Sequence, residues 1–193
     1  MKVTAEDVGV LMLRVPAGLL LMGHGAQKLF GWFGGAGPEK TGEMMTALGY
    51  PQGRLMGLAA GAGEFGAGAG IALGAATPLS CAGLIATMTN AAVSAHLPKG
   101  LWAHHGGFEY PLVLGAGAAA LAVHGPGSLS VDGALGCQRK GLLWGLAATA
   151  VGLVGAAAVL ALRRTDQENG SAPADSSVQD RSVQDSAGRD STG

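Results

Sequence analysis

The chain has 193 residues, 48% of them hydrophobic and only 13% charged, with 35 glycines and a formal net charge of −1. A soluble domain usually carries about a quarter charged residues, and the mean hydropathy here is +0.33. The apolar residues fall into blocks near the roughly 20-residue length that crosses a bilayer, so an all-α, polytopic transmembrane helix bundle is expected. The net charge says nothing about nucleic acid, but no basic patch with interleaved aromatics appears, so no nucleic-acid partner is expected. The two cysteines make neither a CxxC nor a metal-ligand spacing, so no metal centre is expected.

Met1 to Asp7 is a short polar lead. The N-terminus lacks a clean apolar core and a small-residue cleavage site, and is read as a retained helix. The first helix is expected over Val8 to Trp32. It is apolar enough to span, yet it carries Arg14, His24, Gln27 and Lys28. Ionisable groups at membrane depth are costly and normally face protein or trapped water. His24 and Lys28 are four apart and share one helix face, with Gln27 beside them. Arg14 lies about 15 Å earlier along the axis. Pro16 would sit within this helix, which membrane helices tolerate.

Gly34 to Gly53 is a polar loop in which Thr41 to Leu48 would form a short interfacial helix, with Met44, Met45 and Leu48 on one side. The second spanning helix, about Arg54 to Ala76, is nearly all glycine, alanine and leucine. Gly57 and Gly61, then Gly66, Gly70 and Gly74, follow the small-xxx-small spacing that lets helix backbones approach. Glu64 interrupts it near the middle. The third helix runs from about Leu79 to Leu97, past Asn90, Ser94 and His96. A His- and Gly-rich loop follows (Lys99, Trp102, His104, His105), and the fourth helix covers Phe108 and Glu109 to His124. Gly125 to Lys140 is a loop, and a fifth apolar block spans Gly141 to Leu162. The remainder, from Thr165, is mostly Ser, Asp, Gln and Gly, with SVQD twice. Such composition predicts a disordered tail.

Five crossings fix parity. With the N-terminal face as side A and the opposite face as side B, His24, Gln27, Lys28, Arg54, His96, His104, His105 and Glu109 fall toward side B. Glu64 lies about 15 Å inside that face. One reading is a polar cavity opening to side B, with Glu64 at its floor and Lys28, His24, His96 and Glu109 on its walls. The other is a set of packing pairs, Arg14 or Lys28 against Glu64, plus interfacial polar residues. Both stay open at this point. A haem or metal pair of His24 and His96 would need two converging imidazoles with open faces, which nothing in the spacing requires. Cys81 and Cys137 both fall on side A, either as a thiol pair or as two unrelated small residues. Lys40, Arg54, Lys99, Arg163 and Arg164 lie on side B against Lys2, Arg139 and Lys140 on side A. The positive-inside rule therefore places side B and the tail in the cytoplasm.

Taken together, the motifs resemble a known family. R-x-P (Arg14 to Pro16), HGAQKLFGWFGG (His24 to Gly35), LGYP (Leu48 to Pro51), EFGAG (Glu64 to Gly68) and GGFEYPL (Gly106 to Leu112) occur in the order and spacing of the DoxX family of bacterial membrane proteins. GPGSLSVDG (Gly125 to Gly133) resembles the segment after that family's fourth helix. The resemblance covers roughly Val8 to Leu135. It implies a four-helix domain over residues 1–135, with an additional helix over 136–164 and a polar tail over 165–193. It also implies a multi-pass protein of the bacterial plasma membrane. The family is named from a subunit associated with thiosulfate:quinone oxidoreduction, and other members are linked to a complex with superoxide dismutase and a sulfurtransferase.

The implied function is a redox-associated subunit in thiol and oxidative-stress balance, binding quinone or anchoring soluble oxidoreductases. In it, His24 or Lys28 would donate to a quinone carbonyl while Glu64 or Glu109 manages protons. Quinone is the cofactor considered, with haem disfavoured and no dinucleotide or iron–sulfur signature present. A non-catalytic scaffold, in which the buried charges only hold the bundle and the tail recruits partners, is the alternative; a homo-oligomer is among the partners considered. A small-molecule carrier using Glu64 ranks lower, because no inverted repeat or paired broken helices are visible.

Overall fold

The computed structural model describes residues 3–163; the expected polar tail lies outside them. The described residues are all helical or loop. Seven α-helices occur in order: α1 (Ala5–Phe30), α2 (Gly37–Ala47), α3 (Gly53–Leu73), α4 (Thr77–Ala91), α5 (Glu109–His124), α6 (Val131–Ala134) and α7 (Leu142–Leu160). α1, α3 and α7 are each long and apolar enough to cross a membrane. α4 continues through a π-helical turn over Ala92–His96, which gives 20 helical residues, about 30 Å at helical rise. α5 is shorter, with 16 residues. Large apolar side chains such as Leu13, Leu143 and Val154 stay mostly exposed on the outer surface, the inverse of a water-soluble domain and the pattern expected where lipid is the solvent.

Local chemistry sets the helix ends. α1 begins at Ala5, earlier than expected, because Thr4 and Asp7 form a capping box: Asp7 N–H donates to Thr4 Oγ1 at 3.2 Å and Thr4 N–H to the Asp7 carboxylate at 2.9 Å. It stops at Phe30, not Trp32, because Gly31 adopts a left-handed conformation (φ 70°) and its N–H closes on the Gln27 carbonyl. The expected short interfacial helix is longer at its start, since Pro38 sits in the first turn of α2, where its missing N–H costs nothing. The loop expected over Gly125 to Lys140 contains α6, capped by Ser130 through its bond from Gly133 N–H.

α1 and α3 make the most extensive contact in the bundle. A Cβ on Gly18 would lie 2.4 Å from the Ala72 nitrogen, and one on Gly25 2.5 Å from the Phe65 nitrogen. From the other side, a Cβ on Gly68 would lie 2.4 Å from the Met22 nitrogen. Backbone thus touches backbone, and only glycine permits it. Gly66, expected in this stripe, has open space instead; Gly68 holds the contact, because the crossing selects one face of α3. Gly57 packs on Thr41 of α2, Gly70 on Ser80 and Gly74 on Ser130.

α7 packs on α4 and α5, with Gly152 against Ile85 and Gly145 against Val123. The buried apolar core lies among Leu21, Ile71, Cys81, Leu84, Ile85 and Met88. Two long-range contacts tie the ends of the bundle. Asp7 Oδ1 accepts from Ser128 N–H at 2.6 Å on side A, and Arg163 Nε donates to the Leu48 carbonyl at 2.8 Å on side B.

Candidate functional site

Toward side B the bundle opens into a cavity of about 390 Å³ between the end of α1, α2, α3, α4 and α7. That volume falls within the roughly 300–1,000 Å³ of small-molecule sites. Its walls are largely apolar: Met44, Met45, Leu48, Met56, Ala59, Ala60 and Val159 among others. The polar groups reaching it are few, namely Lys28, Glu64, Tyr50, Thr87, Asn90, Ser94 and His96.

The glycine crossing delivers the charged pair. Lys28 stands against Gly61, where a Cβ would come within 3.1 Å of Lys28 Cβ. From there the lysine reaches one turn along α3 to Glu64, with Nζ 2.5 Å from Oε2. The Glu64 side chain is 8% exposed and that of Lys28 21%. Of the two cations able to neutralise Glu64 on sequence grounds, Lys28 is therefore the partner. Arg14, 2% exposed, lies near side A. Its guanidinium donates to the carbonyls of Ile71 and Ala72 at the end of α3 and of Leu129 in the loop after α5. The negative end of the α3 dipole takes the place of a carboxylate, so Arg14 staples three segments and does not reach the cavity.

The remaining expected site residues separate. His24 is exposed and its Nδ1 meets Gln27 Oε1 at 3.1 Å; neither residue lines the cavity. Glu109 accepts from the Ala103 N–H at 2.9 Å, tying the His-rich loop to the start of α5, also outside the cavity. His96 does line it, and its Nδ1 is 2.6 Å from the Gly106 carbonyl. Cys81 is buried and Cys137 exposed, both free thiols; no bond joins them.

Two residues lining the cavity, Tyr50 and Asn90, and Arg163 packed on Tyr50, were not singled out as a site by the sequence. Tyr50 donates from its hydroxyl to Asn90 Oδ1 at 2.9 Å, and the Arg163 guanidinium stacks 5.6 Å from the Tyr50 ring centre. Arg163, Tyr50 and Asn90 thereby link α7, the α2–α3 connection and α4 around the cavity. The signal that would have found Tyr50 is its place in LGYP directly after the Met-bearing face of α2. For Arg163 and Asn90 no local pattern gives the contact.

On side A, Asp132 caps α4 from a distance. Its carboxylate accepts from Ala76 N–H at 2.8 Å, Thr77 N–H at 2.9 Å and Thr77 Oγ1 at 2.8 Å. Burial alone would raise its pKa. The Thr77 and Ala76 hydrogen bonds and the Arg139 charge outweigh that and hold the carboxyl below its ordinary value. Among the described residues no cluster of three His, Cys, Asp or Glu side chains is placed to hold a metal.

Residues 9–97 match the model of the DoxX family, a span that takes in α1 through α4 and the whole Lys28–Glu64 wall but not α5 or α7. No curated protein and no solved structure matches the chain. With its apolar spans and glycine-packed helices, the segment 9–97 is a DoxX domain, which supports membership of the DoxX family of membrane proteins.

Proposed function

We propose that this protein is a redox-associated membrane subunit whose side B cavity holds the ring of a quinone-class molecule. The observation that carries this reading is the cavity itself: apolar walls lined by methionine and alanine, with one ion pair and a few neutral hydrogen-bonding groups reaching in. Methionine side chains adapt to flat or irregular apolar ligands. A quinone, when bound, supplies two-electron, two-proton chemistry. Of this chain's own groups, Lys28 Nζ is a donor for a carbonyl oxygen, and Glu64, already held by Lys28, is a carboxylate for proton exchange. His24 and Glu109 are given no part in this reading, since both lie outside the cavity. Protons would exchange with the side B solvent, the face that the charge bias assigns to the cytoplasm.

The test is the quinone content of the purified full-length protein, with Gly63→Phe as the blocked control. Gly63 lines the cavity, and a Cβ there meets nothing within 4 Å, so the ring fills the site without moving backbone. Quinone is expected in stoichiometric amount with the wild type and in traces with Gly63→Phe at unchanged melting temperature. Equal traces in both would overturn the reading.

A scaffold reading, in which the protein anchors soluble oxidoreductases without chemistry, is favoured by a different observation. Arg14, Asp132 and Glu109 direct their hydrogen bonds to the protein's own backbone. It predicts no bound quinone and a cellular defect unaffected by Gly63→Phe.

A further inference from the structure

We infer that His96 is the residue that recognises a ligand hydroxyl in the side B cavity, through its Nε2. This rests on the cavity reading above and assigns a contact that reading leaves open. A backbone carbonyl can only accept, so the nitrogen 2.6 Å from the Gly106 oxygen, Nδ1, carries the hydrogen. In the neutral ring the lone pair then sits on Nε2, fixed there by the protein and not by chance of tautomer. The ring's one hydrogen bond among the described residues is made through Nδ1, which leaves Nε2 without a partner there, and the residue lines the cavity.

The local backbone supports a dedicated position. Ala86, Thr87, Asn90 and Ala91 line the cavity at α-helical spacing along α4, and Ser94, Ala95 and His96 line it from the π-helical turn that follows. His96 stands at the end of that turn, Ala92–His96. An extra residue in a turn rotates the residues after it by about 100° relative to a regular helix. The chain then returns through Gly106, whose left-handed φ of 78° presents its carbonyl to the ring.

Several of the other cavity groups are committed elsewhere, while the Asn90 amide nitrogen, buried without an acceptor, can only donate and the Ser94 hydroxyl both donates and accepts. Lys28 only donates, Tyr50 gives its hydrogen to Asn90, and Thr87 gives its own to the Gly83 carbonyl. Glu64 Oε2 is held by Lys28. His96 adds a neutral acceptor whose direction does not depend on the ion pair. The ligand class it selects is an aromatic ring bearing a hydroxyl, a phenol or a hydroquinone.

The experiment compares binding of 1-naphthol and its methyl ether, 1-methoxynaphthalene, to the full-length protein in lipid nanodiscs. It is run at one fixed pH for all variants. The readout is the ratio of the two affinities, which cancels partition into lipid across variants. That ratio should favour naphthol roughly tenfold more in the wild type than in His96→Phe, as expected for one hydrogen bond to a desolvated acceptor. His96→Gln, whose amide oxygen can accept, should recover part of it. An unchanged ratio in His96→Phe, or equal loss of both ligands, would reduce His96 to a packing residue and overturn the inference. If the wild type binds menadione yet does not discriminate naphthol from the ether, the inference falls while the quinone cavity stands. If it binds none of the three, both fall.

Discussion

Removing Glu64 should expose how much the α1–α3 crossing depends on its one ion pair. In Glu64→Ala the Lys28 ammonium stays where the glycine contacts put it, opposite Gly61, but its carboxylate partner 2.5 Å away is gone. Breaking a buried pair by deleting one member costs roughly 3–5 kcal/mol in soluble proteins. Here Lys28 keeps 21% of its side-chain surface exposed, so solvent recovers part of the loss and about 3 kcal/mol is the expected cost. Deleting both charges with similar shape, in Glu64→Gln with Lys28→Met, removes the stranded cation. The double variant should return to within about 1 kcal/mol of wild type, since a buried pair and its apolar replacement are often close in stability. Melting in nanodiscs of that double variant and its two singles, Glu64→Gln and Lys28→Met, closes a double-mutant cycle that measures the coupling directly. If Glu64→Ala melts like the wild type, or the double variant is no better than Glu64→Ala, the two side chains do not stabilise each other and the cavity wall is wet enough to solvate both.

Three further outcomes are expected from the packing and from side A. Gly68→Ala should destabilise by about 1–3 kcal/mol, the usual cost of overpacking, because its Cβ would meet Met22 backbone at 2.4 Å. Gly66→Ala, with open space at the same helix, should melt at or above the wild-type temperature; equal loss in both variants would refute the assigned crossing face. Asp132 has a folded-state pKa held below its ordinary value of 3.8, so its stabilisation is complete above that value and is lost as the pH falls through the lower folded one. Melting temperature should therefore fall more steeply below about pH 4 in the wild type than in Asp132→Asn, and parallel curves would contradict the cap. Cys137 is exposed and Cys81 fully buried, so a membrane-impermeant maleimide reports side A without engineering; labelling of intact cells is expected if side A faces outward, and its absence there with labelling of inverted vesicles would reverse the orientation.

The helices and their membrane character were set by the sequence alone, because apolar runs of bilayer length bounded by Gly, Pro and capping residues leave the backbone no other way to satisfy its hydrogen bonds in lipid. Glu64, Lys28 and His96 were legible as unusual for the same reason: a charge or imidazole stands out against glycine and alanine. Which of them meet was not legible. Arg14 and Lys28 are equally able to neutralise a carboxylate, and although parity sets α3 antiparallel to α1, only the rotation of the two helices at their crossing brings the carbonyl end of α3 to Arg14 and its middle to Lys28. The choice of Gly68 over Gly66 depends on helix rotation, a quantity that a nearly uniform Gly/Ala sequence does not encode in its hydrophobic pattern. His24 and Glu109 share a side of the membrane with the cavity without lining it, since parity fixes depth but not direction around the bundle axis. Asn90 and Arg163 lie 40 and 113 positions from Tyr50, and only the packing of α7 and α4 around the α2–α3 connection brings both against that side chain.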